Sequence, residues 1–281
     1  MPHSQPVLSV SASDGHRFDL IHVPAESVEQ TLFFIPGMGL SARQYIPLGQ
    51  ALAKHGIESF IHEWRGIGSS NQRAARNNDW GYRELLDRDL VASLEAVRSA
   101  VGKRRVLIGG HSLGSQFACL LAGRRPEVCR GIALVAGGAP YAPAFPLWGR
   151  LILFPAFRLM PLIGQMIGHY PGRQLGFAGR ESRGVIADWT RTGRTGHYDL
   201  PDLDPSPEEQ MGQLEVPVLG VRLADDWFVP EASLNWLTAK LPACAVTVTV
   251  IDDDDLDGKA DHFGWMRSPE RVARVVAEHF K

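Results

Sequence analysis

Gly110-His111-Ser112-Leu113-Gly114 places a serine between two glycines at the spacing of a sharp turn. A serine hydroxyl is a weak nucleophile at its own pKa. Acyl-transfer chemistry therefore needs a base to take its proton and a third group to orient that base. Gly-x-Ser-x-Gly is common by chance, and the setting is what distinguishes this copy. Arg105-Val106-Leu107-Ile108-Gly109 reads as a buried strand directly before it, and residues 113–123 read as a helix directly after it. A strand–serine–helix turn lifts the hydroxyl above a sheet edge. Small residues two positions away on either side let strand and helix close up, and the helix N-terminus favours developing negative charge. Ser112 is the candidate nucleophile. Such a site also needs two donors aimed at the oxyanion, and the Leu113 backbone N–H is one candidate.

The surrounding elements alternate short apolar runs with longer amphipathic ones, the pattern of a parallel sheet covered by helices. Residues 7–11 and 17–23 predict an opening antiparallel hairpin around Asp14-Gly15. Residues 31–35, 57–62, 105–109, 131–135, 216–222 and 245–251 predict further strands, giving eight. Helices are expected over 41–55 with Ser41 as N-cap, over 80–101 and 113–123, over 230–240, and over 268–280 with Ser268 as N-cap. Residues 137–215 break the rhythm, being rich in Pro, Gly, aromatic residues and Arg. They are read as an inserted cap, and residues 1–136 and 216–281 as the core domain.

The 281 residues, 44% of them hydrophobic, suit one large domain or one domain with an insertion. A formal net charge of −2 without a long Lys/Arg run suggests neither a nucleic-acid nor an anionic-membrane partner. Cys119, Cys129 and Cys244 have no zinc spacing and read as reduced thiols. The residues after Met1 lack a basic stretch followed by an apolar run, so no secretory leader is expected. The most apolar stretch, 145–167, is interrupted by Arg150, Arg158 and Gln165, and Pro155 and Pro161 are expected to break it. It falls short of the roughly 18 uninterrupted apolar residues of a membrane span. A cytoplasmic protein without stable membrane insertion is the expectation. Its Phe145, Trp148, Ile152 and Phe157 either bury against the core or line an acyl pocket or lipid-facing entrance, with Trp189 and Tyr198 as further pocket candidates. The acidic run at 252–255 lacks calcium-loop spacing and reads as a solvated turn.

Over nearly its whole length the chain resembles the α/β-hydrolase superfamily. Besides the serine turn, Trp64-Arg65-Gly66-Ile67-Gly68-Ser69-Ser70 resembles a segment that follows the fourth strand there, with Glu63 standing where Asp is usual. Asp79-Trp80-Gly81, Asp188-Trp189 and His262-Phe263-Gly264-Trp265 make it similar, more narrowly, to uncharacterised bacterial predicted hydrolases near the serine aminopeptidase and monoacylglycerol-lipase-like branch. The resemblance implies an eight-stranded, mostly parallel sheet with helices on both faces and a cap.

It also implies a chain order of nucleophile, acid, histidine. Ala224-Asp225-Asp226-Trp227-Phe228-Val229-Pro230 resembles the family's acid loop. Register favours Asp226 over Asp225, whose carboxylate suits a turn cap. His262 alone among the 10 histidines follows the last strand and precedes the last helix. His111, inside the elbow, is read as pointing elsewhere. The second oxyanion donor is expected at the Met38 N–H, in Ile35-Pro36-Gly37-Met38-Gly39; many relatives carry His-Gly where this chain has Pro36-Gly37. The resulting expectation is a serine hydrolase acting on a small or medium-chain carboxylic ester, without cofactor or metal. Alternatives on the same residues are an aminopeptidase or amidase, with Glu181, Asp188 or Asp199 holding a substrate amine, and an acyltransferase. From another class, a non-catalytic binding protein on the same fold is the rival. The partner is a small-molecule ester or acyl compound, and the oligomeric state is left open, a homodimer being one option.

Overall fold

The computed structural model describes residues 6–200, 203 and 205–281. The N-terminal residues 1–5, on which the no-leader expectation rests, lie outside these. The chain opens with the predicted hairpin, β1 (Val7–Ser11) and β2 (Arg17–Val23), then β3 (Gln30–Ile35), α1 (Ile46–Ala53) and β4 (Ile57–Ile61). Next come α2 (Tyr82–Glu84), α3 (Val91–Val101), β5 (Val106–His111), α4 (Leu113–Arg124) and β6 (Cys129–Val135). The segment before the sheet resumes carries α5 (Leu147–Ile167), β7 (Tyr170–Pro171), α6 (Gly172–Leu175), β8 (Arg180–Glu181), α7 (Arg183–Thr195) and α8 (Pro207–Gly212). Strand β9 (Pro217–Leu223), α9 (Glu231–Thr238), β10 (Ala245–Ile251) and α10 (Glu270–His279) complete the chain.

Eight strands form one sheet in the order β1-β2-β4-β3-β5-β6-β9-β10, and only β1–β2 and β2–β4 pair antiparallel. The expected eight-stranded, mostly parallel sheet is present. Its central strands β3, β4 and β5 are buried along their whole length. That explains why residues 32–35 of β3 and 106–108 of β5 read as continuous apolar runs rather than as alternating ones, while β4 buries Glu58 and Ser59 as well. Period-two geometry divides the strand residues between two cores. Phe33 and Ile35 face the core shared with α3 and α4, whereas Leu32 and Phe34 face the core shared with α1 and α10.

Several boundaries differ from expectation for local reasons. Ser41 does cap, through a reciprocal box with Gln44, but it starts a short 3-10 turn (Ala42–Tyr45) ahead of α1. The helix expected over 80–101 contains a π-helical stretch, Leu85–Leu90, between α2 and α3. Ser268 does not cap the last helix. It ends a 3-10 turn (Gly264–Arg267), its hydroxyl donates to the Asp257 carbonyl at 3.4 Å, and α10 starts after Pro269.

The largest correction is α5. Pro155 and Pro161 do not break it, and it runs as one helix of 21 residues. A proline leaves the carbonyl four residues earlier without its donor. For Pro161 that carbonyl is Phe157, and Arg194 of α7 donates to it at 2.8 Å. The Phe157 ring lies over Gly193, where an added Cβ would sit 2.4 Å from the ring, so the two helices approach closely at that point. By length and composition α5 would suffice to cross a membrane, yet only 17% of its most apolar 18-residue window is buried.

Candidate active site

Strand β5 runs straight into the serine turn. Ser112 has φ +54° and ψ −118°, a backbone conformation that non-glycine residues rarely adopt. The glycines make the turn sterically feasible. A Cβ on Gly114 would lie 2.0 Å from the Ile35 carbonyl oxygen, and one on Gly110 would lie 2.2 Å from the Gly114 carbonyl carbon. The Ser115 hydroxyl donates to the Gly110 carbonyl at 2.6 Å and closes the turn from inside. Helix α4 begins at Leu113, whose N–H is one of the first-turn amides without an intrahelical acceptor.

The structure brings the candidate acid and the candidate histidine together. His262 Nδ1 lies 2.8 Å from Asp226 Oδ2, with both side chains buried. The other carboxylate oxygen of Asp226 accepts from the N–H groups of Phe228 and Val229 at 2.9 and 3.1 Å. Asp225 is exposed, and its N–H donates to the Ala260 carbonyl. The Phe228 ring stacks on the imidazole of His262, with centroids 5.0 Å apart. Asp226 therefore holds Nδ1, while Phe228 restrains the plane of the ring.

Ser112, His262, Met38 and Leu113 all line one cavity of about 450 Å³. That volume lies in the range of small-molecule sites. Its wall is mostly apolar: Phe145, Ile152 and Met160 from one side, Phe177 and Trp189 from another. Among the described residues no carboxylate lines it, whereas Gln116 does, and the Gln116 Oε1 has no partner there. Trp189 faces the cavity as anticipated; Tyr198 is buried without lining it.

A chain of hydrogen bonds that sequence reading missed ties the Pro36-Gly37 loop to His262. The Gly37 N–H donates to the Tyr45 hydroxyl at 2.9 Å, and that hydroxyl lies 2.7 Å from His111 Nδ1. His111 Nε2 lies 3.0 Å from the carbonyl oxygen of His262. The carbonyl can only accept, so Nε2 carries the proton and Nδ1 accepts from Tyr45. Burial, with His262 close by, holds His111 well below its ordinary pKa and keeps it neutral. His111 thus does not point away from the candidate site; it holds the backbone of His262. The Pro36-Gly37 loop is fixed from its other side, where the Trp64 indole N–H donates to the carbonyls of Pro36 and Gly37 at 3.0 and 3.2 Å. Met38 N–H meets no acceptor among the described residues.

Glu63, the departure from Asp, accepts from the Ala42 N–H at 3.0 Å and from the Ser41 hydroxyl at 3.3 Å, anchoring the turn that follows the loop. Glu181 packs on the loop's far side. Its Oε1 accepts from the Gly179 N–H at 2.9 Å, and a Cβ on Gly39 would lie 2.4 Å from that same nitrogen. Burial pushes the Glu181 carboxyl up to about 7 from an ordinary value of 4.5.

The folded state therefore keeps a proton that the unfolded chain releases. Glu181 contributes its full stabilisation below about pH 4.5 and loses it as pH rises through 7. The difference is about 3 kcal/mol. Paired thermal melts of wild type and Glu181→Gln are expected to show wild type losing stability relative to the variant between about pH 5 and 7.5. Parallel curves would mean that Glu181 holds no such proton.

A family model described as alpha/beta hydrolase fold matches residues 30–255. No curated protein matches the chain. Among solved structures, the chain is similar to DcsB in complex with its substrate analogue, at 15% identity and TM-score 0.66, with 99% of each chain covered. It is similar to a deformylase from Pseudomonas putida S16, at 20% identity and TM-score 0.59, covering 97% of this chain and 100% of that one. An enzyme that degrades N-acyl homoserine lactones gives 17% identity and TM-score 0.61, covering 96% and 99%. At such identities the likeness speaks for the fold.

Proposed function

The chain belongs to the alpha/beta hydrolase fold family, and from that premise we propose that it is a serine hydrolase cleaving a small or medium-chain carboxylic ester through an acyl-enzyme on Ser112. The observation that carries this reading is the buried His262–Asp226 pair beside the cavity that Ser112 lines. Ser112 Oγ attacks the acyl carbon, and its proton passes to His262 Nε2 as the tetrahedral intermediate forms. Asp226 keeps the Nδ1 proton in place and stabilises the imidazolium. The Met38 and Leu113 N–H groups receive the oxyanion. Collapse expels the alcohol, which takes the proton from His262. Water, deprotonated by His262, then attacks the acyl-enzyme, and Ser112 is regenerated as the acid leaves. Residues 137–215 act as a cap whose apolar wall selects the acyl group, with Gln116 as a polar contact.

The absence of a carboxylate from the cavity wall among the described residues favours an uncharged ester over an aminopeptidase substrate. Asp188 accepts from the Tyr82 N–H at 2.7 Å and pairs with Arg191 at 2.8 Å, and Glu181 serves Gly179. Neither is free to hold a substrate amine. Of the similar structures, one degrades lactones, which are esters. The test is a series of p-nitrophenyl esters of rising chain length beside aminoacyl-anilides. In an apolar pocket, kcat/KM is expected to rise about four-fold per methylene until the cavity fills. Turnover of the anilides alone would overturn the ester reading.

A further inference from the structure

The net charge of −2 hides an uneven distribution. Between Glu127 and Glu181 the chain has no acidic residue. Within that span, α5 turns a long apolar face outward: Leu147 is 72% exposed, Leu151 68% and Met166 77%, with Leu159 and Leu162 more than half exposed beside them. Arg150 and Arg158 stand on the helix among these residues, and Arg173 of α6 and Arg180 of β8 follow it in the chain, all four exposed. The guanidinium groups of Arg150, Arg158 and Arg180 donate to backbone carbonyls, and among the described residues no carboxylate lies within ion-pair distance of any of the four, Glu181 acting on Arg173 only at longer range.

We propose that the outward face of α5 docks in the plane of an anionic lipid surface, with these arginines meeting the headgroups. An apolar helical face edged by cations is the physical pattern of an interfacial helix. A span across the bilayer is excluded by the opposite face, where Phe157, Met160 and Gly164 are buried against the rest of the protein. A second copy of the chain seated face to face would set the arginines against one another with no acid between them.

The face is also continuous with the cavity. Trp148 and Ile152 are both exposed and part of the cavity wall, and the Trp148 ring lies tilted against that of the exposed Trp227, another wall residue, at 5.8 Å between centroids. Indole rings favour the boundary between apolar and wet phases. Docking on this face would bring the cavity mouth to the lipid surface. Entry of an acyl substrate by that path rests on the hydrolase reading; the docking itself does not.

The experiment is cosedimentation of the full chain with phosphatidylcholine vesicles, with and without about one-third phosphatidylglycerol, at low and high salt. Wild type is expected to bind the anionic vesicles and to weaken with salt. The triple variant Leu151→Glu/Leu162→Glu/Met166→Glu should lose at least ten-fold in binding while keeping the wild-type thermal melt, since all three side chains are exposed and none lines the cavity. Arg158→Gln and Arg173→Gln, which leave the apolar face intact, should each weaken anionic-vesicle binding about five-fold. The proposal is overturned if wild type does not bind vesicles, or if the triple variant binds as wild type does. It is equally overturned if sedimentation equilibrium shows a wild-type dimer that the triple variant abolishes, because the face then receives a second copy.

Discussion

Ser112→Ala is expected to lower kcat/KM toward a p-nitrophenyl ester by about 10⁴- to 10⁶-fold while leaving the thermal melt within a degree or two of wild type. The size follows from the chemistry. Without the hydroxyl no acyl-enzyme forms, and what remains is the smaller contribution of the oxyanion donors and of binding. The small effect on folding follows from the turn itself. Its geometry is set by Gly110 and Gly114 and closed by the Ser115 hydroxyl, and the Ser112 hydroxyl has no hydrogen-bond partner among the described residues. Alanine keeps the same backbone at φ +54° with one atom fewer. A fluorophosphonate probe supplies a readout independent of substrate choice: wild type should be labelled near neutral pH and the variant should not. A labelled alanine variant, or one that keeps its ester turnover, would exclude Ser112 as the nucleophile. Absence of labelling in both proteins would favour a binding protein built on the same fold.

How far such a site can be read from sequence depends on whether its parts leave local traces. The serine turn does, because a buried strand, two glycines and a helix must follow one another within a few residues. Asp226 and His262 are 36 residues apart and were placed by the order of elements, and their 2.8 Å contact follows from the parallel sheet bringing strand ends to one edge. The Tyr45–His111 bond leaves no such trace, since it joins residues 66 apart that share no pattern. Histidine within the elbow looks incidental until Tyr45 and the His262 carbonyl are seen around it. Pro161 in α5 misleads for a related reason. Local rules count the missing N–H, but the compensating donor is Arg194, 37 residues from the carbonyl it serves. Whole-chain charge leaves local patches unread in the same way, because it averages over a sequence in which no acidic residue stands between Glu127 and Glu181.

Asp89→Ala is expected to lower the stability of the folded chain by about 3–5 kcal/mol, which for a protein of this size corresponds to a fall in Tm of roughly 5–9 °C. Asp89 lies in the π-helical stretch, with no exposed surface. Its Oδ1 accepts from Arg65 at 2.6 Å and lies 2.9 Å from His16 Nδ1, and its Oδ2 accepts from Arg65 Nε at 2.9 Å. Arg65 also pairs with Asp14 at 2.8 Å, and His16 Nε2 lies 2.8 Å from the Ser70 hydroxyl, which accepts in turn from the Gly66 N–H at 3.0 Å. This network is what the Arg65-Gly66-Ile67-Gly68-Ser69-Ser70 segment builds: it joins the β1–β2 turn, the loop after β4 and the helix before α3. Burial alone would raise the Asp89 carboxyl, but the hydrogen bonds from Arg65 and His16 hold it below the ordinary range. Removing the carboxylate leaves a guanidinium that is almost wholly buried with only the partly exposed Asp14 as its partner. An unpaired buried cation is more damaging than the loss of the pair as a whole. The double variant Asp89→Ala/Arg65→Leu should therefore recover part of the lost stability, with urea melts as the measurement. If the double variant is less stable than Asp89→Ala by the full effect of Arg65→Leu, the two residues act independently and the buried-charge account fails.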